Sequence, residues 1–443
     1  MRVSVVGAGL GGLCLAQGLR GAGIEADVYE RDPAITARFQ GYRLVLDSVG
    51  FEALRSCLPQ RLHPLLDAVV SDTYVERLAL DAQLNKIGEL GPARSGIVVD
   101  RQVLRHLLLT GLTVHTGAAL TGYDVLDNGR VEARFARRDP ATADLLVGAD
   151  GVGSAVRQVL MPQTTPRDTG VRFVIGRTPL TEQFAALSRA YGGKIVGGGV
   201  SLLLGAMRFP VPPKEAAEKL APEVTLPDIH DYVRWAMILP PNGSLGTLTA
   251  QEAALSRMEG WHPNLQALIE QADPDNSTLL SIRVVEPRER WAPGPVTLLG
   301  DAIHATSPTG GNGANTALRD ADLLRRCLVG AVERRQDLLG AVGDYERQMF
   351  EYGGEAVRRS LAALPAFVPN PERPESGGRQ ISGAPVLPGV KLRSVSGSAP
   401  GPDRRSLGRR WGAGAGRYGG RTGPGAEPED AGGPARPGRR PTC

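Results

Sequence analysis

Cysteine is scarce and scattered in this chain. The four thiols, Cys14, Cys57, Cys327 and Cys443, form no CxxC pair, and no His/Cys cluster has zinc spacing. That argues against a disulfide framework and against a metal site, and single thiols suit a reducing, cytoplasmic setting. Long apolar runs are lacking too. None approaches the roughly 20 residues of a membrane-spanning helix, so no membrane partner is expected. The apolar N-terminus lacks a basic region of any length, which argues against a secretory signal. Net positive charge is missing from most of the chain. The net charge is +4, yet residues 397–443 alone contribute +5, from nine arginines, no lysine and four acids. The remainder is nearly neutral and offers no basic face to nucleic acid.

What is present starts at once. Arg2-Val3-Ser4-Val5-Val6 reads as a short buried strand, followed by Gly7-Ala8-Gly9-Leu10-Gly11-Gly12. The pattern predicts a helix over 13–21 and a second strand over 25–29, ending in Glu30. Strand, glycines, helix, strand and acid in this order make a dinucleotide-binding fingerprint. Gly7 allows a tight turn, Gly9 leaves room for a pyrophosphate, and Gly12 lets the helix lie close on the strand. The helix N-terminus offers free N–H groups to phosphates, and Glu30 can accept hydrogen bonds from ribose hydroxyls. The motif alone does not separate NAD from FAD.

Further along, a strand is expected at 40–46, helices at 49–58 and 61–69, and a hairpin within 73–90. A strand at 97–101 feeds a helix at 102–109, with Asp100 as N-cap. Strands at 113–115 and 130–136 flank the turn Asp127-Asn128-Gly129. A buried strand then ends in Gly148-Ala149-Asp150-Gly151, after which Ser154 and Arg157 open a helix. Candidate strands at 171–177, 194–208 and 231–238, separated by Pro-rich links, suggest an inserted, mainly antiparallel sheet. A short helix is expected at 265–271. Val296-Thr297-Leu298-Leu299-Gly300-Asp301 returns the chain to the first domain, and helices follow at 315–334 and 344–364. Residues 397–443 hold thirteen glycines and seven prolines, with Leu407 alone among Ile, Leu and Val. Such a segment cannot bury enough apolar surface to order itself.

The expected fold is therefore α/β. A Rossmann-like nucleotide-binding domain has a first part at 1–170 and a second part, with C-terminal helices, at 286–368. A β-sheet substrate domain is inserted at 171–285, and a disordered Gly/Pro/Arg-rich tail covers 369–443.

Three landmarks in register carry a family likeness. Gly7, Gly9, Gly12 and Glu30 come first, then Asp150-Gly151 with Ser154 and Arg157. Gly300-Asp301, Pro308, Gly310, Gly313, Asn315 and Asp320 come last. Over about residues 1–365 the chain resembles the group A FAD-dependent monooxygenases, the p-hydroxybenzoate hydroxylase family. The resemblance implies FAD as cofactor. Gly7, Gly9, Leu10, Gly11 and Gly12 would hold its pyrophosphate, and Glu30, with Arg31 beside it, its adenosine ribose. Arg101 would reach the flavin nucleotide from the side. Asp150 belongs to a motif tied to FAD and pyridine nucleotide, and Asp301 would bind the ribityl chain or pyrophosphate. Pro308, Gly310, Gly311, Asn312, Gly313, Ala314 and Asn315 would lie along the isoalloxazine edge. The family commonly has Gln where this chain has Asn312.

The implied reaction uses NAD(P)H and O2 to hydroxylate or oxygenate an aromatic or polyketide-like small molecule through a flavin C4a-hydroperoxide, as in secondary metabolism. No separate NAD(P)H fingerprint occurs, as in the family, whose members are monomers or homodimers. Arg43, on a strand expected beside the flavin, is a candidate to bind an acidic substrate oxygen, or else a surface arginine. His304 is a candidate acid/base, though the family packs this position beneath the flavin loop. Phe173, Met207 and Trp235 would line the substrate cavity or belong to the core. The alternative function keeps FAD as a structural group in a non-redox step such as a cyclisation. Halogenation or alkene reduction is a third reading; the WxWxIP motif of a halogenase is missing, and Tyr232 and Trp235 followed by Pro240 resemble the reductase pattern only loosely.

Overall fold

A computed structural model of the chain describes residues 1–368, apart from 36, 38–40, 73–77, 91–95, 190–192, 240–246 and 335–336. The expected tail, and Gln40 of the expected strand, lie outside the described residues.

Five parallel strands form the first sheet, in the order Val296–Leu298, Leu145–Gly148, Arg2–Val6, Glu25–Tyr29 and Val114–His115. Val296–Leu298, Leu145–Gly148 and residues 3–6 of the third strand are buried on both faces, as a sheet covered on both sides requires. Their ends are level: Val6 pairs with Gly148, and Gly148 with Leu298. The loops that follow these strands therefore leave the sheet along one edge, and those loops are the three landmarks. The helices Leu10–Gly21 and Gly313–Arg334 both begin there.

The first helix starts at Leu10, three residues earlier than the pattern at 13–21 suggested. Gly9 is extended, and the Leu13 N–H already donates to the Gly9 carbonyl at 3.0 Å. Packing holds Gly11 helical, since a Cβ there would meet Leu299 at 2.8 Å. Tertiary contact thus overrides glycine's weak helix propensity.

A second, antiparallel sheet joins Leu120–Val125, Val131–Phe135 and Arg138–Ala143. This corrects one expectation. The strand across the 127–129 turn is Leu120–Val125, whereas Val114–His115 belongs to the parallel sheet.

The third sheet has seven strands, in the order Thr278–Val284, Arg167–Pro179, Tyr232–Leu239, Val200–Met207, Lys194–Gly197, Leu78–Asp81 and Lys86–Glu89. The expected strand at 194–208 is in fact a hairpin. Gly198 and Gly199 turn it with φ of +56° and +71°, backbone that residues with a Cβ resist. The helices Glu182–Arg189, Pro213–Leu220 and Ala250–Leu255 and the strand Thr278–Val284 were not anticipated. A small sheet of Arg43–Leu46, Ile97–Asp100 and Ser71–Asp72 completes the set. Asp100 caps the helix Arg101–Leu109 as expected, accepting from the Gln102 and Val103 N–H groups.

The seven-stranded sheet separates two apolar clusters. Val174, Trp235, Met237, Leu202 and Leu204 pack with Trp261, Leu265 and Leu268, largely on the helical side. Phe173, Ala236, Ile238 and Ile282 pack with Leu364 on the other side. Met207 belongs to a third cluster, shared with the parallel sheet and its helices. Trp235 is fully buried, and its indole N–H donates to Thr178 Oγ1 at 3.3 Å. Trp235→Ala is expected to cost about 3–5 kcal/mol of stability, read by denaturant unfolding. A loss below about 1 kcal/mol would show that the ring borders a void.

Glu346, on the helix Leu338–Ala363, is buried beside Trp291, whose indole N–H donates to it at 2.9 Å. Burial raises its carboxyl to about 7, against the Trp291 and Thr297 hydrogen bonds. A carboxyl raised by folding favours the protonated native state. Stability should therefore fall as pH rises from 4.5 towards about 7, by about 3 kcal/mol in all. Glu346→Gln is expected to flatten that decline in unfolding measurements across pH 5–8 (~three units). An unchanged slope would place the titration elsewhere.

Candidate active site

Crowding at the level strand ends explains the glycines. Gly7 has φ +111°, and a Cβ there would collide with the Ala149 carbonyl. A Cβ on Gly12 would strike the Gly7 carbonyl and press on Val5 and Ala149. Gly9 differs: the Ala149 carbonyl, 4.0 Å away, is all that a Cβ would approach, so open space lies over it. The helix N-terminus at Leu10 faces that space with its first N–H groups.

A cleft of about 420 Å³ opens along this edge. Gly7, Gly9, Glu30, Arg31, Arg101, Asp150 and Asp301 all line it. Sequence positions from Gly7 to Asp301 thus meet in one groove. Tyr29, Ala118, Ala119, Leu120, Gly151 and Gly153 are also among its walls.

Glu30 is buried, and its two oxygens accept from the Ala8 N–H at 2.9 Å and the Asp32 N–H at 3.0 Å. Arg105 sits behind it. Its guanidinium is 3.7 Å from Glu30 and donates to the Ala8 carbonyl at 2.9 Å and to the Ile35 carbonyl. Sequence reasoning gave Arg105 no role. The signal was its position four residues after Arg101, on the same face of a helix with a buried apolar stripe.

Asp150 Oδ2 accepts from the Ala155 N–H at 2.7 Å, while Oδ1 is buried with no partner among the described residues. Burial raises this carboxyl above the usual range despite the Ser154 and backbone hydrogen bonds. Ser154 caps the helix Ala155–Leu160, as expected, accepting from the Arg157 N–H at 2.9 Å. Arg157 is wholly buried and spends its donors on carbonyls: Thr164 at 3.0 Å, Val152 at 2.7 Å and Ala302 at 2.6 Å. It ties the second landmark to the third.

Asp301 opens on the cleft at the start of the short helix Asp301–His304. Its surroundings raise the carboxyl by desolvation, with Arg101 and His304 opposing and Asp320 reinforcing. His304 faces the other way. It is buried, with Nε2 2.7 Å from Asp320 Oδ2, which also accepts the Gly300 N–H at 2.7 Å. Tyr352 donates to the other Asp320 oxygen at 2.6 Å. Burial works against a charge on His304, but Asp320 outweighs it and the imidazole pKa is raised. Gly353 leaves the room this ring occupies: a Cβ there would lie 2.5 Å from it. His304 is thus placed among supports of the Gly300 turn and does not line the cleft.

Pro308–Gly310 form a single helical turn against the last long helix, where the Ser360 hydroxyl accepts the Ser307 N–H at 3.0 Å. Gly311 is left-handed, with φ +61°, and Gly313–Arg334 begins two residues later. Asn315 binds this turn to the small sheet. Its amide donates to the Val45 carbonyl at 3.0 Å and accepts from the Asp47 N–H at 3.0 Å. Arg43 stands on that strand and does not line the cleft; its guanidinium lies against Gly205 of the seven-stranded sheet. Phe173, Met207 and Trp235 are buried in three separate clusters, and none of them lines the cleft.

No cation cluster competes with a nucleotide reading: among the described residues no group of His, Cys, Asp or Glu is arranged to hold a metal ion. The unpartnered Asp150 oxygen, the open space over Gly9 and the glycine turn that no Cβ could enter all suit a bound dinucleotide. The fold and cleft define a dinucleotide-binding protein of the doubly wound class.

Comparison with known proteins places it further. The model of the FAD binding domain family matches residues 1–178 and 261–351. The chain belongs to this family, that of the group A FAD-dependent monooxygenases. It is 31% identical over 419 residues to elcB of Phaeosphaeria nodorum, named a dual O-methyltransferase/FAD-dependent monooxygenase; the match covers 82% of this chain and 45% of that protein. The chain thus spans less than half the length of that relative. It is 28% identical to the aurachin C monooxygenase/isomerase of Stigmatella aurantiaca, over 81% of this chain and 88% of that one. A crystal structure from Photorhabdus luminescens, named as an FAD-containing monooxygenase, aligns with TM-score 0.71 and 31% identity, covering 83% of this chain and 98% of that one.

Glu30→Ala removes the acceptor for the Ala8 N–H and the partner of Arg105. It is expected to weaken FAD binding by about 2 kcal/mol, more than tenfold, in a fluorescence titration. Unchanged affinity would remove Glu30 from the ribose site.

Proposed function

We propose that this protein uses NAD(P)H and O2 to hydroxylate or oxygenate an aromatic or polyketide-like small molecule on bound FAD. The observation that carries this reading is the convergence of the three landmark loops on one cleft at the edge of the parallel sheet. The relatives' names supply the monooxygenase class.

FAD, when bound, supplies electron transfer from the nicotinamide and activation of oxygen. The chain's own residues would do the rest. The N–H groups that open the helix at Leu10 would hold the pyrophosphate, and Glu30, fixed by Ala8 and Arg105, the adenosine ribose. Arg101 and Asp301, which both line the cleft, would flank the middle of the dinucleotide. Asp150 Oδ1 would find there the partner it otherwise lacks. Pro308 to Asn315 would border the isoalloxazine, with the N-terminus of Gly313–Arg334 favouring negative charge on the reduced ring. His304 would position Gly300 through Asp320 and move no proton of the substrate.

The test is the visible spectrum of the purified protein, recorded anaerobically before and after NADPH or NADH, followed by oxygen uptake with a panel of phenols and enols. Flavin bands that bleach, and uptake stimulated by a substrate, are the expected result. Flavin that neither nucleotide reduces with any of the panel would overturn the reading.

A further inference from the structure

The inner face of the seven-stranded sheet changes character along its length. Phe173 and Ile238 lie opposite each other and are apolar. Four residues on, Arg177 lies directly opposite Arg234, and Arg234 is in turn opposite Gly205. The missing side chain at Gly205 is where the Arg43 guanidinium rests, 2.7 Å from where a Cβ would stand. Three arginines therefore form one row across three neighbouring strands. Like charges paired across strands are unfavourable, so this row needs an anion to be at ease.

For Arg177 and Arg234 the described residues supply none. Among the described residues neither Arg177 nor Arg234 is ion-paired with a carboxylate. Asp100 is near, but Oδ1 is taken by two backbone N–H groups and Oδ2 by the Tyr232 hydroxyl at 2.7 Å. Arg177 lies over the rings of Tyr42 and Tyr232, 5.5 Å from each centre, and one of its terminal nitrogens is buried with no hydrogen-bond partner. Arg234 is half-buried, with part of its surface open. Burial and the neighbouring Arg43 lower its pKa to about 10, so it stays charged near neutrality.

The row stands close to the reaction centre proposed above. Arg43 is two residues from Val45 on one strand, roughly 7 Å, and Val45 is bound by Asn315. We propose that Arg177 and Arg234, with Arg43 beside them, form an oxyanion-accepting subsite, and that substrates of this protein carry a carboxylate or an equally acidic oxygen. The placement rests on the reading that Gly311 to Asn315 borders the cofactor; the anion preference is tested without it.

The flavin-loaded protein, oxidised and without nicotinamide, is titrated with matched pairs, benzoate against benzamide and 2-naphthoate against 2-naphthamide. Calorimetry reads binding, and the flavin absorbance reads proximity to the ring. Each carboxylate is expected to bind about ten- to a hundredfold more tightly than its amide, with a shift in the flavin bands. Arg234→Gln and Arg177→Gln should each erase the preference at unchanged flavin content, and Arg234→Lys should retain part of it. Equal binding within each pair, carboxylates that fail to bind, or a preference that survives both Gln variants would overturn the proposal. The wild-type pairs decide it even where a variant fails to fold. Flavin that nicotinamide never reduces would overturn the monooxygenase reading and leave this one standing.

Discussion

Three backbones meet at the edge of the parallel sheet where there is no room for a side chain, and the site depends on that crowding. Val6, Gly148 and Leu298 are level, so Gly7, Ala149 and Leu299 leave the sheet side by side. A Cβ on Gly7 would enter the Ala149 carbonyl, and one on Gly12 the Gly7 carbonyl. Only in this tight arrangement does the first helix begin where its N–H groups face the groove. The glycines are thus packing constraints first, and binding follows from the packing.

Polar clamps keep the three loops together once they meet. Arg157 gives its donors to carbonyls on both sides, including Ala302 beyond the third strand. Asp320 gathers Gly300, His304 and Tyr352. Asn315 reaches across to Val45 and Asp47. Each is a buried polar group with several hydrogen-bond partners, and such networks fix geometry more than they add stability. Beyond them the seven-stranded sheet brings its own inner face, apolar near Leu364 and basic near Gly205.

Much of this was legible in the sequence because glycine, acid and strand patterns are local. Gly7 to Gly12 with Glu30, Asp150 with Ser154, and Gly300 with Asp301 each announce a turn or a cap within a few residues. Their meeting in one cleft needed only the parallel order of the strands that carry them. The inserted sheet was harder. Its strands pair across long separations, and Gly198-Gly199 broke an apolar run that looked continuous. Arg177 and Arg234 were invisible as a pair, because their register is set by strand pairing over 57 residues (~60) and by no local motif. Arg43 was noted from its strand, but its resting place against Gly205 could be seen only in the folded sheet.

The central claim, that three separated loops make one FAD site, is tested most directly by hydrogen exchange of the flavin-free protein with and without added FAD. The account predicts that amides in residues 7–12, 149–156 and 300–315 gain protection together, at one FAD concentration. Protection confined to the first of these segments, or equally produced by NAD, would contradict it.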